Sequence, residues 1–438
     1  MLSHCWIVLM ISKLLSQYKL NVDLKKIVHN AGWLLFDKFV RLAFGLFVGV
    51  WVARYLGPKT YGELTYVVTL ISFFQVIALL GLDSILVRDI ANNKREANKI
   101  LGSALFMRLG AGILSLLSIV FFVWIFNGYN IAILTLLAGG GLVFQCIDTI
   151  DIWFQSQSQS KRTVIAKLCS YTITNILRVT CILTNCPLWS FALLLSVDAM
   201  LASIALCYAY RTYKTAEKWK PALKKCKDLL SESWPFLISG VSVILYMRVD
   251  QIIIRNILGE KELGVYAASL QFSVLWGFVP FTLSVSIAPY IIRKKKEGLD
   301  VYYNALKNTF LLFSALGWGI TLFVAALSPF IINAVLGAEY SSGTSVLAVH
   351  VITNLFICLG VAQNLWIVNE KKGLLILYKS ITGLIVCFIS NFILIPIYGI
   401  EGAAISAVIS QLSACILSNA LFCRKILLMQ LRAIIFIR

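Results

Sequence analysis

The sequence is dominated by long apolar stretches, each about as long as a membrane is thick. An α-helix rises about 1.5 Å per residue, so about 20 residues cross the ~30 Å hydrocarbon core of a bilayer. About twelve stretches of the chain reach that length. They are residues 28–53, 63–87, 100–125, 131–154, 163–184, 188–210, 233–256, 263–291, 304–327, 343–368, 373–396 and 400–423. The pattern predicts an all-α membrane protein with about twelve transmembrane helices.

The composition excludes an ordinary soluble protein. Hydrophobic residues make up 59% of the chain and charged residues 13%, against about 45–50% and about 25% in typical globular domains. The formal net charge of +19 would suggest a nucleic-acid partner for a soluble protein, but in a membrane protein it is typical of basic cytoplasmic loops. We therefore expect the lipid bilayer, and no nucleic acid, as a partner.

The positive charges are concentrated on one side of the predicted bundle. Thirty of the 39 Lys and Arg residues fall in the terminal segments and in every second loop, whereas four fall in the other loops. Because cytoplasmic loops carry the excess of Lys and Arg, both termini are predicted to be cytoplasmic. The predicted organisation is a cytoplasmic or interfacial segment (1–27), a first six-helix lobe (28–211), a basic cytoplasmic linker (212–232), a second six-helix lobe (233–423) and a basic cytoplasmic tail (424–438).

Two short motifs recur in the two halves of the chain. The sequence LGPKTYGELTY at residues 56–66 matches LGEKELGVY at residues 258–266, an offset of 202. A Trp before a polar loop and a following Lys also recur, as Trp153 with Lys167 and as Trp366 with Lys379. Six helices per half place both lobes in the same orientation, related by an axis along the membrane normal. Such duplication is typical of transporters with a cavity between two bundles.

The repeated hairpins carry a resemblance to a known family. ARYLGPKTYG at residues 53–62, and VDQIII at 249–254 followed by LG at 258–259 and GVYA at 264–267, resemble the polysaccharide-transport (Wzx-type, O-antigen flippase) family. The resemblance covers roughly residues 20–424, and the superfamily also holds drug/proton antiporters and lipid II flippases. It implies two lobes in a V and alternating access in the bacterial inner membrane. The implied substrate is an oligosaccharide repeat unit on undecaprenyl pyrophosphate, moved from the cytoplasmic to the periplasmic leaflet. Proton or sodium coupling, and a polysaccharide polymerase and chain-length regulator as partners, remain open.

Arginines inside the predicted helices are the candidate substrate-binding residues: Arg41, Arg108, Arg178 and Arg248. Charged side chains at membrane depth are costly, so they normally face a cavity or one another. A guanidinium stays protonated and its planar donor fork matches the oxygens of a pyrophosphate. Helix rise places the four at roughly 12, 20, 23 and 23 Å from the cytoplasmic end, in the order Arg108, Arg41, Arg178, Arg248. The alternative for two of them is a structural ion pair, Arg41 with Asp37 and Arg108 with Asp148.

Two carboxylates, Asp37 and Asp250, are the candidate coupling residues. Asp37 lies one helical turn before Arg41. Asp250 follows Arg248 by two residues, which turns it about 200° away around the helix, and a buried carboxylate there could take up a proton. The alternative is that Asp250 pairs with a cation on a neighbouring helix and fixes packing only. Lys379 is assigned to a cytoplasmic loop, so predicted helices eight to twelve contain essentially no charged side chains.

No motif indicates an enzyme or a cofactor. The chain has neither a phosphate-binding G-x-x-x-x-G-K-[ST] loop nor H-E-x-x-H, and it contains three histidines. Its eleven cysteines include no C-x-x-C pair, so neither disulfides nor a metal site are expected. Two alternatives to a flippase stay open. A drug/proton antiporter of the same superfamily should have an acidic or aromatic cavity, and a membrane polysaccharide polymerase should have a large outward loop with catalytic residues.

Overall fold

The computed structural model describes residues 22–93, 96–157, 159–213 and 219–437, so most of the predicted segment 1–27 lies outside the described residues. Regular structure in the described ranges is entirely helical. The helices are α1 Val22–Leu79, α2 Asp83–Asn92, α3 Ala97–Asn127, α4 Tyr129–Ser156, α5 Ser160–Leu183, α6 Leu188–Arg211, α7 Leu223–Leu258, α8 Glu260–Glu297, α9 Leu299–Leu336, α10 Gly343–Asn369, α11 Leu374–Phe422 and α12 Arg424–Ile434. We call α1–α6 the first half and α7–α12 the second half.

Two of the helical segments turn back on themselves at a glycine. α1 is interrupted at Gly57, whose φ of 70° is left-handed, and Gln271 approaches both Gly49 and Tyr61 on either side of that turn. α11 is interrupted at Gly399, whose φ is 60°, and its two arms are joined by a hydrogen bond between hydroxyls sixteen residues apart. Each segment is therefore a hairpin of two antiparallel arms with a single glycine at the turn.

The described helices confirm the predicted fold class. Nine segments are long and apolar enough to span a membrane by length and composition, and two of these are the hairpins just described. α5 is 24 residues long and more polar, but its length also suffices for one crossing. The total agrees with the approximate count of twelve that the sequence predicts. Large apolar side chains such as Phe47, Trp124 and Phe126 are exposed over the outer surface. The chain is thus a multi-pass membrane protein.

The repeated hairpin motifs of the two halves cross each other. Gly57 and Gly259 both turn the chain with positive φ, at 70° and 94°. Five residues further, a Cβ on Gly62 would collide with the carbonyl oxygen of Glu260, and a Cβ on Gly264 would collide with that of Pro58. The contact is reciprocal, as pseudo-symmetry requires. We call it the hairpin crossing, and the end of the bundle where it lies the hairpin end.

The largest hydrophobic core cluster joins the two halves near the hairpin crossing. It contains Ala53 and Tyr66 from α1 together with Tyr266 from α8 and Tyr340 from the turn before α10. The Tyr340 hydroxyl donates to the carbonyl oxygen of Ala53 at 2.6 Å.

Two further clusters lie toward the opposite end, which holds the Lys- and Arg-rich loops and which we call the basic end. One lies within the second half, and the other belongs to the first half but also includes Leu229 from the start of α7. The halves are thus joined by a packed core at the hairpin end, and at the basic end the start of α7 contacts the first half, where Glu232 pairs with Arg88 at 2.6 Å.

The basic tail forms helix α12, and one face of that helix is buried. Ile426, Gln430 and Ala433 are buried against the second half, and the carbonyl oxygen of Ile434 accepts a hydrogen bond from the Trp318 indole at 3.1 Å. The sequence predicts a basic cytoplasmic tail here and gives no sign of a buried face. The physical reason for the burial is that Ile426 and Ala433 belong to the hydrophobic core of the second half, while Gln430 finds hydrogen-bond partners there.

Candidate functional site

Arg41 lies on the side of α1 that contacts α5, and it forms an ion pair. Its Nε donates to Asp37 Oδ1 at 2.9 Å, and its guanidinium carbon lies 4.9 Å from the centre of the Tyr171 ring. The Tyr171 hydroxyl in turn donates to the carbonyl oxygen of Arg41 at 3.2 Å. The alternative Asp37–Arg41 pair is thus present, yet the Arg41 side chain keeps 32% of its surface exposed. It can still offer donors to a second anion.

Arg178 extends the same face of α5 by two turns from Tyr171. Its Nη1 donates to Oδ1 of Asn175 at 3.3 Å, and Asn175 is itself buried and donates to the carbonyl oxygen of Tyr171 at 2.8 Å. In the described ranges, no carboxylate lies within ion-pairing distance of Arg178. The guanidinium is therefore half-buried, oriented by an amide and uncompensated by an acid.

Arg248 on α7 has the same kind of surroundings in the second half. Its Nη1 donates to Oε1 of Gln251 at 3.3 Å, and the buried Gln251 also accepts from the Thr69 hydroxyl of α1 at 2.5 Å. The network links Arg248 to the first half. As for Arg178, no acid of the described chain forms an ion pair with it. The sequence finds no carboxylate one turn away from either arginine, and the structure adds that none approaches from other described helices.

Asp250 is buried among neutral partners. The Tyr266 hydroxyl donates to its Oδ2 at 2.6 Å and the backbone N–H of Gln251 donates to its Oδ1 at 2.8 Å. Among the residues described, no Lys or Arg nitrogen comes within 4.0 Å of this carboxylate. The alternative of an ion pair with a neighbouring helix is therefore not what the structure shows. Within the described residues, Asp250 is thus held by hydrogen bonds alone.

Arg108 differs from the other three arginines because it is almost completely enclosed. Only 1% of its surface is exposed, and its Nη2 donates to Oδ1 of Asp83 at 2.5 Å. The predicted partner Asp148 is wrong, because Asp148 and Asp151 both bind the Nζ of Lys167, at 2.8 and 2.7 Å. The Nε and Nη1 of Arg108 are buried without a hydrogen-bond partner.

A second buried cation, Lys379, corrects the expectation that the last five helices contain essentially no charge. Lys379 is buried in α11 and donates to Oε1 of Gln363 in α10. Gln363 also exchanges hydrogen bonds with the buried side chains of Asn419 and, from α12, Gln430. The sequence signal for Lys379 is that it repeats Lys167 in the second half. That spacing along the chain does not show how deeply the side chain is buried.

A polar cleft of about 520 Å³ opens inside the first half. Its polar lining residues are Asp83, Ser84, Asp148, Asp151, Gln155 and Lys167. The described residues contain no group of three or more His, Cys, Asp or Glu side chains placed to hold a metal ion. The polar cleft is thus lined by both acids and a base, next to the buried Arg108.

Comparison with known proteins identifies the family. Residues 27–295 match the sequence profile of the family described as "Polysaccharide biosynthesis protein". The chain belongs to that family. The polysaccharide biosynthesis family is the polysaccharide-transport family of the MOP superfamily that the two hairpins resemble, so that prediction is confirmed.

Individual relatives of this polysaccharide biosynthesis family protein are similar to it in sequence over most of their length. The capsular polysaccharide biosynthesis protein CapF of Staphylococcus aureus is 20% identical, over 83% of this chain and 91% of CapF. The "probable low-salt glycan biosynthesis flippase Agl15" of Haloferax volcanii is 23% identical, over 83% of this chain and 77% of that protein. Among solved structures, the lipid II flippase MurJ in an inward closed conformation has a TM-score of 0.71 at 15% identity, with 92% of this chain and 90% of MurJ covered. At that identity the similarity shows the fold alone.

Proposed function

We propose that this protein is a flippase that moves lipid-linked oligosaccharides across the bacterial cytoplasmic membrane. The proposed substrate is an oligosaccharide repeat unit on undecaprenyl pyrophosphate, passed from the cytoplasmic to the periplasmic leaflet for O-antigen or capsule assembly. The family supports a role in polysaccharide biosynthesis, and the names of CapF and of the Haloferax flippase support a glycan as cargo. The fold shared with MurJ supports movement of a lipid-linked molecule.

The observation that carries this proposal is the pair of uncompensated arginines. Arg178 and Arg248 lie one in each half, and each is held only by a side-chain amide in the described structure. A guanidinium without an acid partner is costly at membrane depth unless an anion arrives to pair with it. A pyrophosphate is such an anion, and its oxygens suit the bidentate donor geometry of arginine. The lipid tail would remain in the bilayer while the head group passes between the halves.

Arg41 and Arg108 are proposed to act earlier on the path, nearer the cytoplasm. Arg41 keeps an exposed portion although it binds Asp37, so a second anion can reach it. Arg108 has two unpartnered nitrogens, but its enclosure means that the surrounding helices must move before a head group contacts it. We therefore place the main weight of the head-group site on Arg178 and Arg248.

The proposed orientation puts the hairpin end in the periplasm and both termini in the cytoplasm. The excess of Lys and Arg at the basic end supports it. The hairpin crossing would then close the periplasmic side in this conformation, and its separation would release the substrate outward. We propose that lobes 28–211 and 233–423 move about this contact, with linker 212–232 and tail 424–438 in the cytoplasm.

Coupling to an ion gradient is proposed to involve Asp250, with Asp37 as a second candidate. The burial of Asp250, with no ion-paired cation among the described residues, supports this role. Sodium remains the alternative ion. A polysaccharide polymerase and a chain-length regulator are the partners we expect downstream of the released repeat unit.

The decisive experiment is deletion of the gene followed by localisation of the lipid-linked repeat unit. We expect the repeat unit to accumulate on the cytoplasmic leaflet and surface polysaccharide to be lost, with restoration by the intact gene. Normal polysaccharide in the deletion strain would contradict the proposal. Drug resistance should be measured in the same strains, because a loss of drug efflux with intact polysaccharide would favour the antiporter. An accumulation of single repeat units in the periplasm would favour a polymerase.

A further inference from the structure

Helix α12 runs along the membrane-spanning helix α9 instead of across its end. At the start of α12, the Nζ of Lys425 lies 3.1 Å from the centre of the Tyr303 ring, near the start of α9. Near the end of α12, the carbonyl oxygen of Ile434 accepts from the indole of Trp318, much further along α9. A helix lying flat on the membrane surface would meet α9 at one level only. α12 therefore points from the basic end toward the hairpin end.

The length of α12 limits how far it can reach. It has eleven residues, which rise about 16 Å, roughly half of the ~30 Å hydrocarbon core. Its buried Gln430 bonds Gln363 of α10 and Asn419 of α11, and both of those segments are long and apolar enough to span a membrane. α12 can thus enter the leaflet at the basic end, but it cannot cross the bilayer.

The face of α12 that points away from the second half carries an apolar stripe. Leu428, Leu431 and Ile435 follow one another at steps of three and four residues, so they share one side of the helix. Their exposed fractions are 55%, 44% and 62%. Apolar side chains exposed in a row are unfavourable in water and favourable against lipid chains. The exposed face of α12 is therefore suited to contact with acyl chains.

Exposed cations accompany the apolar stripe. Arg424, Lys425 and Arg432 are exposed on α12, and the last acidic residue of the sequence, Glu401, precedes all three. Within the described part of the chain, none of the three forms an ion pair with a carboxylate. Arg432 follows Lys425 by two helical turns, about 10 Å. A guanidinium so placed beside lipid extends toward the phosphate layer, where it meets an anion.

We propose that α12 binds an anionic phospholipid of the leaflet at the basic end. Arg432 donates its planar fork to the phosphate oxygens, Arg424 and Lys425 add electrostatic attraction, and the acyl chains lie on the apolar stripe. The bound lipid holds α12 against the second half, where Gln430 completes the buried network around Lys379. The proposal requires a chain that spans a bilayer and does not depend on what the chain transports.

Thermal unfolding of the purified full chain with added lipid tests the site without transport. In detergent micelles, we expect phosphatidylglycerol to raise the Tm of the wild type more than phosphatidylcholine does. Arg432→Gln should weaken the apparent affinity for phosphatidylglycerol roughly fivefold and leave the Tm in phosphatidylcholine unchanged. Arg293→Gln is the matched control, because Arg293 is an exposed guanidinium at the basic end outside α12. Equal losses in both variants, or no loss in Arg432→Gln, would overturn the proposal.

If Arg432→Gln fails to fold, Arg424→Gln takes its place, with the same control and the same criterion. A rise in Tm with undecaprenyl phosphate but not with phosphatidylglycerol would assign the face to an isoprenoid lipid and contradict the proposal.

The position of the apolar stripe can be measured separately. In an otherwise cysteine-free chain, Leu431→Cys is labelled with a fluorophore and reconstituted into phosphatidylglycerol-containing vesicles. We expect quenching by lipids with brominated acyl chains and little quenching by iodide in the water. Strong quenching by iodide with none by brominated lipid would place the stripe in water and overturn the proposal. Either result leaves the proposed transport function to its own test.

Discussion

At the scale of single residues, the amide-held arginines distinguish this site from an ordinary set of membrane ion pairs. Arg41 and Arg108 each have a carboxylate partner, whereas Arg178 and Arg248 have only Asn175 and Gln251 among the described residues. An amide orients a guanidinium without neutralising it. The two arginines are thus held in place and still able to pair with an anion.

Loss of either arginine should strongly reduce transport while leaving the fold intact. We expect Arg178→Ala and Arg248→Ala each to lower export roughly 10- to 100-fold, because a hydrogen bond to a charged group contributes about 1.5–3 kcal/mol. Lysine should restore only part of the activity because it lacks the planar fork. The measurement is export of repeat units at matched membrane expression, with Arg293→Ala as control because Arg293 is an exposed guanidinium at the basic end. Full activity in both alanine variants would remove them from the head-group site.

Asp250 offers a second prediction at this scale. Asp250→Asn keeps the shape and can still accept from the Tyr266 hydroxyl, so we expect a stable protein. If Asp250 takes up the coupling proton, the variant should lose the dependence of flipping on a pH gradient in proteoliposomes. Tyr266→Phe is the matched control, because it removes the hydrogen bond and keeps the carboxylate. An Asp250→Asn variant with the wild-type rate and the wild-type pH-gradient dependence would show that this residue does not couple.

The sequence reveals which of these residues are charged and approximately where they lie along a helix, but not which partner each one finds. Asp83 and Asp148 both lie within reach of Arg108 by helix rise alone. The choice depends on Lys167, which comes from the following helix and binds Asp148 and Asp151. Contacts between helices depend on rotations about their axes, which spacing within one helix does not fix. Lys379 was missed for the same reason: its depth depends on how far α12 covers it.

At the scale of the helices, the glycine-turned hairpins were predictable and their crossing was not. The turns at Gly57 and Gly259 need a positive φ, which glycine adopts readily, so the repeated Leu-Gly motif marks them in the sequence. The reciprocal contact of Gly62 with Gly264 involves two helices far apart in the chain. The sequence shows that the glycine is repeated. Only the structure shows that Gly62 contacts the second-half hairpin and that Gly264 contacts the first-half hairpin.

Substitution of these glycines should hold the hairpin end apart. In Gly62→Ala or Gly264→Ala the new Cβ would collide with a backbone carbonyl that cannot rotate away, and overpacking of this kind costs about 1–3 kcal/mol. We expect normal insertion, reduced transport and weaker disulfide crosslinking between cysteines placed on the two hairpins. Gly110→Ala is the control, since nothing lies within 4 Å of a Cβ there. Unchanged crosslinking in the Gly62 and Gly264 variants would contradict a close contact.

Helix α12 should stabilise the second half through Gln430. Its side chain bonds Asn419 and Gln363 inside a buried polar network, and removal of one partner leaves the others unsatisfied. We expect Gln430→Ala to lower the free energy of unfolding by about 1–3 kcal/mol, measured as a lower Tm in detergent. Leu428→Ala on the exposed face of α12 is the control and should change the Tm little. Equal Tm values for wild type and Gln430→Ala would show that the network contributes little to stability.

At the scale of the whole molecule, the duplicated architecture and the asymmetric loop charge lead to a topology that can be tested. Cys226, at the start of α7, should be cytoplasmic, and Cys186, in the turn between α5 and α6, should be periplasmic. In otherwise cysteine-free variants, a membrane-impermeant thiol reagent applied to intact spheroplasts should label Cys186 and spare Cys226. The reverse labelling pattern would invert the proposed orientation. Lysed spheroplasts provide the control for reactivity, because both thiols are only partly exposed.

The single-glycine turns have a consequence for how the chain is made. At Gly57 and Gly399 no soluble spacer separates the two arms of a hairpin. A nascent first arm therefore cannot settle across the bilayer with a free loop trailing behind it while the second arm is still being synthesised. We therefore expect each pair of arms to leave the translocon together, folded against one another. Lengthening either turn with a polar spacer should let the arms insert one at a time, and would turn a concerted insertion step into two.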